Sequence, residues 1–429
     1  MLETNIEPNT IETPIEDLRV QLKRLKSDLV ELAEFGKSEE DAGIYRMAFT
    51  EADWQSRQWL RCKMQDLGMA VRIDGAGNVI GHWPPDMDGA SVIMGSHTDS
   101  VPCGGHLDGS LGVMTALECA RVLIESETRP SRPIEVISFS DEEGRFGGMF
   151  GSQAFIGAIT PETIASATDL QGVRLGDAMK ARGLDPLEAL EARRLAESIY
   201  AYLELHIEQG PVLDEMHQQV GVVDEITGLF RWSGKLKGKP NHAGTTPMSL
   251  RQDAFLGLAE FANEIPRLLE ENGSDRSRAT IGNVSLSPGS ANTVPGLAEF
   301  SLDVRDTNEE KLQELTQAFR KALSAIARRR SLMFEFEEIS RIDPVSCEPK
   351  LVEVIRNEAE RLNFSYEVMP SGAAHDAQMV ACSGAPVAMI FVPSKNGQSH
   401  SPAEWTAWQD IEIGANLMLH SILKLVEPE

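Results

Sequence analysis

Leu18, Leu22, Leu25, Leu29 and Leu32 recur at alternating steps of four and three, the period of one apolar helix face, and Gly36 is placed to end that helix. Thr50 with Asp53 reads as a capping box opening a second helix through about residue 67. Residues 71–81, VRIDGAGNVIG, predict two short strands around a glycine-rich turn. The runs 91–96 (SVIMGS) and 134–140 (IEVISFS) are short and rich in Ile and Val, as buried strands are. A helix over 110–125 lies between them. Strand, helix and strand at this spacing form a βαβ unit, so the two strands are expected to be parallel. Further strands are predicted over 202–208 and 386–393, and a final helix over 409–427. The stretch 227–342 has a different rhythm: strand 230–237, helix 251–271, strands 279–286 and 298–303, helix 309–328 and strand 332–338. That order, βαββαβ, predicts a separate α+β sandwich. The expected fold class is therefore α/β. Its main domain is split into 1–226 and 343–429 by an inserted α+β domain, 227–342.

Composition narrows the function. The 429 residues are 41% apolar and 25% charged, which excludes a globally disordered chain. Acidic residues outnumber basic ones by 66 to 40, for a formal charge of −26. Such a field repels nucleic acid and anionic membranes, so neither is expected as a partner. The five cysteines are scattered and form no C-x-x-C pair, as suits a reducing compartment. The acidic N-terminus lacks the apolar core of a signal peptide, and the longest apolar run, 385–392, is too short to cross a bilayer. A soluble, cytoplasmic protein is expected.

Three of the nine histidines stand at or beside the ends of apolar strands, near carboxylates. His97 ends SVIMGSHTDS, with Asp99 on the same strand face two residues on. His206 lies in YLELHIEQG and His400 in FVPSKNGQSHSPAEW. Asp108 follows the turn PCGGHLDG and precedes a helix; Glu142 and Glu143 leave the strand IEVISFS directly. Taken singly, each has a plainer reading as a hydrogen-bonded strand-end histidine, a helix cap or a solvated turn. Taken together, strand ends in an open α/β sheet are where ligand sites form. Two adjacent carboxylates repel each other unless a cation relieves them. The set of nitrogen and oxygen donors without thiolate suits zinc, manganese, cobalt or nickel. No H-E-x-x-H, phosphate-binding loop or G-x-S-x-G elbow offers a competing chemistry. A metal hydrolase is one reading that spacing alone supports.

The motifs GSHTDS, GGHLDG, SDEEGRFGGMFGS, LELHIEQGPVL, NHAGTTPM, LDVRDT, SGAAHDA and FVPSKNGQSHSPAEW occur in that order. Together, over about residues 45–427, they resemble the hydantoinase/carbamoylase branch of the two-metal aminoacylase- and carboxypeptidase-like hydrolases. That branch contains N-carbamoyl-L-amino-acid hydrolases and allantoate amidohydrolases. The resemblance implies an aminopeptidase-like catalytic domain with an inserted lid and dimerisation domain, two divalent metal ions, and a homodimer. It implies that His97 and His206 hold one ion, Glu143 and His400 the other, and that Asp108 bridges them. A bridging carboxylate offsets the repulsion of two cations about 3.5–4 Å apart. Asp99 would orient His97, and Glu142 would be the general base, taking a proton from the attacking water and passing it to the leaving nitrogen. In the inserted domain, His242 would stabilise the oxyanion and Arg305 would bind the substrate carboxylate. Gln209 and Asn292 would hydrogen-bond the substrate, with His375 close by.

The implied reaction is hydrolysis of the ureido C–N bond of a small anionic N-carbamoyl-L-amino acid to amino acid, ammonia and carbon dioxide. Allantoate is the alternative with the same mechanism; an N-acyl amino acid or dipeptide is a broader one. A metal-free binding protein on the same fold is a third, set against all five implied ligands and the base being present. One departure concerns the pocket. The branch is expected to carry E-E-G-x-R-F, whereas here Arg145 follows Gly144 directly.

Overall fold

The computed structural model of the protein describes residues 15–427; most of the acidic N-terminus read above for a signal peptide lies outside them. Chain contacts divide the protein into two units. One holds the chain up to Asp224, Cys347–Met369 and the chain from His375 onward; the other holds Glu225–Ser346 and Pro370–Ala374.

In the first unit, the leucine-faced helix spans Leu22–Ala33 and buries Leu25, Leu29 and Leu32. It starts four residues later than its periodicity predicts. The N–H groups of Val20 and Gln21 are claimed by Asn416 (3.1 Å) and by buried Glu118 (2.9 Å), which hold this segment extended across the core. Leu18 is buried all the same. The second helix, Glu51–Asp66, is capped as expected by Thr50, which accepts the Asp53 N–H. The reciprocal half of the box differs, because the Asp53 carboxylate takes the N–H of Phe49, 2.7 Å away, and pairs with Arg57.

The larger sheet runs Ala70–Ile73, Val79–Trp83, Ile134–Phe139, Ser91–His97, Ile199–Ile207, Val387–Val392, Val220–Ile226, the last leading into the second unit. The four central strands, from Ile134–Phe139 to Val387–Val392, are parallel. The flanking pairings are antiparallel, so the sheet is mixed. The expected βαβ unit is present, with its helix at Ser110–Glu125. That helix and Trp408–Val426 are buried almost all round, the mark of helices packed inside a large core. Every residue of Ser91–His97, Ile134–Phe139 and Val387–Val392 is buried. This explains why these strands read as unbroken apolar runs.

The second unit has a wholly antiparallel five-stranded sheet in the order Met333–Ile342, Gly228–Lys237, Leu297–Asp306, Arg278–Thr280, with Val284–Ser287 also on Leu297–Asp306. Helices Ala254–Asn272 and Glu309–Arg329 cover one face. Alternate residues of Leu297–Asp306 (Ala298, Phe300, Leu302 and Val304) are buried there. The strand predicted over 279–286 is two short strands instead. Thr280 pairs with Asp303 and Val284 with Phe300, so three residues face two and the strand bulges around Gly282. Among the described residues no helix is long and apolar enough to cross a membrane, and the cysteines form no disulfide.

Candidate metal centre

The carboxyl ends of the four parallel strands carry the chemistry, as the topology of open α/β sheets favours. His97 ends its strand, His206 is the penultimate residue of Ile199–Ile207, and Asp141, Glu142 and Glu143 follow Ile134–Phe139. His400 lies eight residues beyond Val387–Val392. Asp108 comes from the turn before Ser110–Glu125. That turn closes against His97 only because residue 109 is glycine, at φ +61°.

All five implied ligands meet. His97, Asp108 and His206 each offer a donor atom within 4.8 Å of the others, and so do Asp108, Glu143 and His400. Asp108 belongs to both groups and divides its oxygens between them. Its Oδ1 lies 3.2 Å from His206 Nε2 and 3.9 Å from His97 Nε2. Its Oδ2 lies 3.3 Å from His400 Nε2, and Glu143 Oε2 is 3.5 Å from the same nitrogen. Two donors on one tetrahedral ion, with bonds of about 2.0–2.2 Å, stand about 3.3–3.6 Å apart. Two of the four spacings fall in that range and a third, at 3.2 Å, lies just below it, and the buried Glu143 Oε1 has no hydrogen-bond partner. The residues thus fit a pair of divalent cations with imidazole and carboxylate donors. A third grouping, Glu204, His206 and His375, is also close. Glu204, however, already accepts from Ser96 Oγ (2.7 Å), Tyr202 OH (3.1 Å) and the Ala377 N–H (3.0 Å), which suits a brace more than a ligand.

The ring orientations come from the main chain. His206 Nδ1 lies 2.9 Å from the Ile207 carbonyl, and His97 Nδ1 lies 3.1 Å from the Asp99 carbonyl. Each bond leaves Nε2 as the outward donor atom. The Asp99 side chain was expected to orient His97; its nearer oxygen is 3.9 Å from that ring, and its Oδ2 accepts the Glu143 N–H at 3.2 Å. Its carboxylate therefore holds the Glu142–Glu143 turn. Arg57, wholly buried, braces the same turn from below. It donates to the Phe139 carbonyl at 3.0 Å, pairs with Asp53 at 2.9 Å, and stands 3.9 Å from Asp99.

Glu142 Oε2 lies 3.5 Å from His97 Nε2. Burial first, then the charges of Glu143, Asp376, Asp99 and Asp108, push the Glu142 carboxyl well above the usual range. Burial and Asp108 do the same to Glu143. Asp108 is held well below the usual range: burial opposes this, but hydrogen bonds to His206 and His400 and the charges of His206 and His97 outweigh it.

The other expected residues are placed as follows. Gln209, expected on the substrate, points its amide at Asp108 Oδ2 (2.8 Å) and Ser399 Oγ (3.2 Å). His375 is buried edge-on to His206, ring centroids 4.6 Å apart. In the second unit, His242 is exposed and its Nδ1 accepts the N–H groups of Gly244 (3.1 Å) and Thr245 (3.3 Å). Its proton in the neutral ring is therefore on Nε2, a donor directed away from the turn. Asn292 is exposed, with its amide oxygen taken by Ser290 Oγ at 2.8 Å. Arg305 is aligned by Asp303 (2.9 Å) and donates to the Gly372 carbonyl at 2.6 Å. In the E-E-G-R-F loop, Arg145 bonds Asp169 (3.0 Å) and the Ala48 carbonyl (2.6 Å), so the loop is anchored within the first unit. Sequence reading missed Glu404, Ser399 and Arg57. Glu404 and Ser399 lie within the motif around His400, which was a usable signal. Arg57 offered none, because an arginine on a helix normally reads as solvated.

A model of the family described as peptidase family M20/M25/M40 matches residues 93–424. The chain is 37% identical to an N-carbamoyl-L-amino-acid amidohydrolase of Paenarthrobacter aurescens, over 94% of this chain and 97% of that protein. It is 33% identical to an allantoate amidohydrolase of Bacillus subtilis, over 96% of this chain and 100% of that protein. The crystal structure of an amidase of the hydantoinase/carbamoylase family from Burkholderia multivorans superposes with a TM-score of 0.89 at 34% identity, covering 96% of this chain and 100% of that one. With the fold, the ordered motifs and the shared Asp108 in agreement, the chain belongs to the M20 peptidase family, in its hydantoinase/carbamoylase amidase branch.

Proposed function

We propose that the protein hydrolyses the ureido C–N bond of an N-carbamoyl-L-amino acid. The observation that carries this is the Asp108 carboxylate shared between two donor groups beside the half-buried Glu142. Relatives named for N-carbamoyl-L-amino acids support the substrate class. His97 and His206 would hold one divalent ion and Glu143 and His400 the other, with Asp108 common to both. When bound, the ions supply Lewis acidity at the ureido carbonyl and make an attacking water acidic enough to lose its proton near neutral pH.

The chain's own groups do the rest. Glu142 receives the proton of the attacking water on its carboxylate and delivers it to the departing amine nitrogen. The released amino acid leaves carbamate, which decomposes to ammonia and carbon dioxide. His242, with its proton on Nε2, donates to the developing oxyanion. Arg305, aligned by Asp303, forks onto the substrate carboxylate, and in a chain of charge −26 it supplies the local attraction an anionic substrate needs. Asn292 and Gln209 complete the polar contacts, Gln209 while also tethering Asp108, and His375 packs behind His206. A homodimer in the cytoplasm is part of the same reading.

A second reading, allantoate hydrolysis, is favoured by the relatives named for that activity. Both substrates pair a carboxylate with a ureido group, so the same residues serve either. The deciding experiment follows ammonia release from L- and D-carbamoyl amino acids and allantoate, and free amino acid release from N-acetyl amino acids, after loading with Zn²⁺, Mn²⁺, Co²⁺ or Ni²⁺. Turnover of the L-carbamoyl series above allantoate is expected. Preference for allantoate would move the assignment to the second reading, and turnover of N-acetyl amino acids alone would reject both.

A further inference from the structure

Glu404 is 2% exposed and touches both loops that bring ligands from opposite ends of the chain. Its Oε1 accepts two consecutive main-chain donors, the N–H of Leu107 at 2.8 Å and that of Asp108 at 3.0 Å. Its Oε2 lies 3.2 Å from Ser399 Oγ, which itself lies 2.9 Å from Asp108 Oδ2. One carboxylate thus joins the peptide of Asp108 to the residue preceding His400. The chain makes room for it: a Cβ at Gly105 would fall 2.2 Å from Glu404 Oε1. The His400 side chain is 52% exposed, so packing does little to hold it and its loop needs an anchor.

We propose that Glu404 is a positioning residue that locks the Asp108 turn and the His400 loop into ligating register, so that affinity for the ion pair depends on it although it is not itself a ligand. This rests on the two-ion reading above. A carboxylate accepting two N–H groups forms charge-assisted bonds, stronger and more directional than neutral ones. It fixes the Asp108 backbone, which lets the two side-chain oxygens face different donor groups. Its Oε1 is filled by the main chain, and Glu404 falls in none of the groups whose donor atoms converge.

The test uses full-length, metal-stripped protein as wild type, Glu404→Ala, Glu404→Gln and Gly105→Ala. Zn²⁺ affinity and stoichiometry are measured by competition with a chromogenic chelator, and Tm is recorded with and without Zn²⁺. Wild type should take two ions. Glu404→Ala should lose about 10–100-fold in affinity for at least one of them, the range seen when a ligand's supporting partner is removed. Its metal-free Tm should stay near that of wild type while the Zn²⁺-induced rise in Tm shrinks. Glu404→Gln keeps an acceptor for both N–H groups and should bind within a few-fold of wild type. Gly105→Ala, which displaces Glu404 without removing it, should resemble Glu404→Ala. Unchanged ion binding in Glu404→Ala overturns the proposal, as does equal damage from Ala and Gln. If Glu404→Ala does not fold, the contrast between Glu404→Gln and Gly105→Ala decides. A wild-type protein that takes no ion pair removes the two-ion reading and this proposal together, an outcome distinct from the others.

Discussion

Gly109 lies against the imidazole of His97: a Cβ at this position would stand 2.3 Å from Cε1 and 2.4 Å from both ring nitrogens. The glycine is also at φ +61°, where a side chain is strained. Position 109 therefore fixes how closely the Asp108 turn approaches the end of the strand Ser91–His97. Gly109→Ala should swing His97 away from Asp108 and lower ion affinity by at least about tenfold, with a native far-UV CD spectrum. Equilibrium dialysis followed by elemental analysis checks this, and an alanine variant that retains both ions would refute the close-approach argument.

Glu142 carries the proton in the proposed reaction and lies in neither converging ligand group. Glu142→Gln preserves its shape and removes its basicity. The expected result is a fall in kcat of about 10²–10⁴-fold with ion stoichiometry unchanged. Steady-state kinetics beside metal analysis separates this from a ligand role, for which metal content would fall as well.

Arg305 is held by Asp303 and Gly372 within the second unit and belongs to none of the converging ligand groups. Arg305→Ala should raise KM and lower kcat/KM by about 10–150-fold, the worth of a charge-assisted bond of about 1.5–3 kcal/mol. Metal content should not change. Loss of ions in this variant would show that the residue has been given the wrong task.

His420 supplies a pH test remote from the proposed chemistry. It is buried; its Nδ1 accepts from Arg361 at 2.9 Å, and its Nε2 lies 3.0 Å from the Leu18 carbonyl. Burial first, then the charges of Arg361 and Arg19, bring its pKa down to about 4. The folded protein therefore binds this proton less readily than the unfolded chain does. The neutral ring's stabilising contribution is complete above the ordinary histidine range near 6.5 and is lost as pH falls through about 4. Against His420→Gln, which cannot titrate, the wild-type Tm should fall relative to the variant between these limits, by on the order of a few degrees. A Tm difference that stays flat with pH would contradict the assignment of a neutral buried ring.

Legibility differed from residue to residue. The central strands could be read because both of their faces are buried, which leaves uninterrupted apolar runs. The start of the first helix could not, because Glu118 and Asn416, about a hundred and four hundred residues away, bind the N–H groups of Gln21 and Val20 and hold that segment extended. The bulge at Gly282 depends on the register against Leu297–Asp306, which periodicity in a single strand does not contain. Asp99 was recognisable as a carboxylate beside His97. That its main-chain carbonyl meets the ring while its side chain holds the Glu143 N–H depends on loop geometry.

The order of the motifs was enough to determine the family, the βαβ core and which side chains have the chemistry to bind cations, because donor type and strand periodicity are properties of residues and their near neighbours. The tertiary fold alone decided that Asp108 gives one oxygen to His206 and the other to His400, that Glu404 ties together turns 296 residues apart, and that Arg57 is buried beneath the Glu142 turn. Distances between segments so far apart in the chain are set by how whole strands and helices pack, and no local pattern of residues records them.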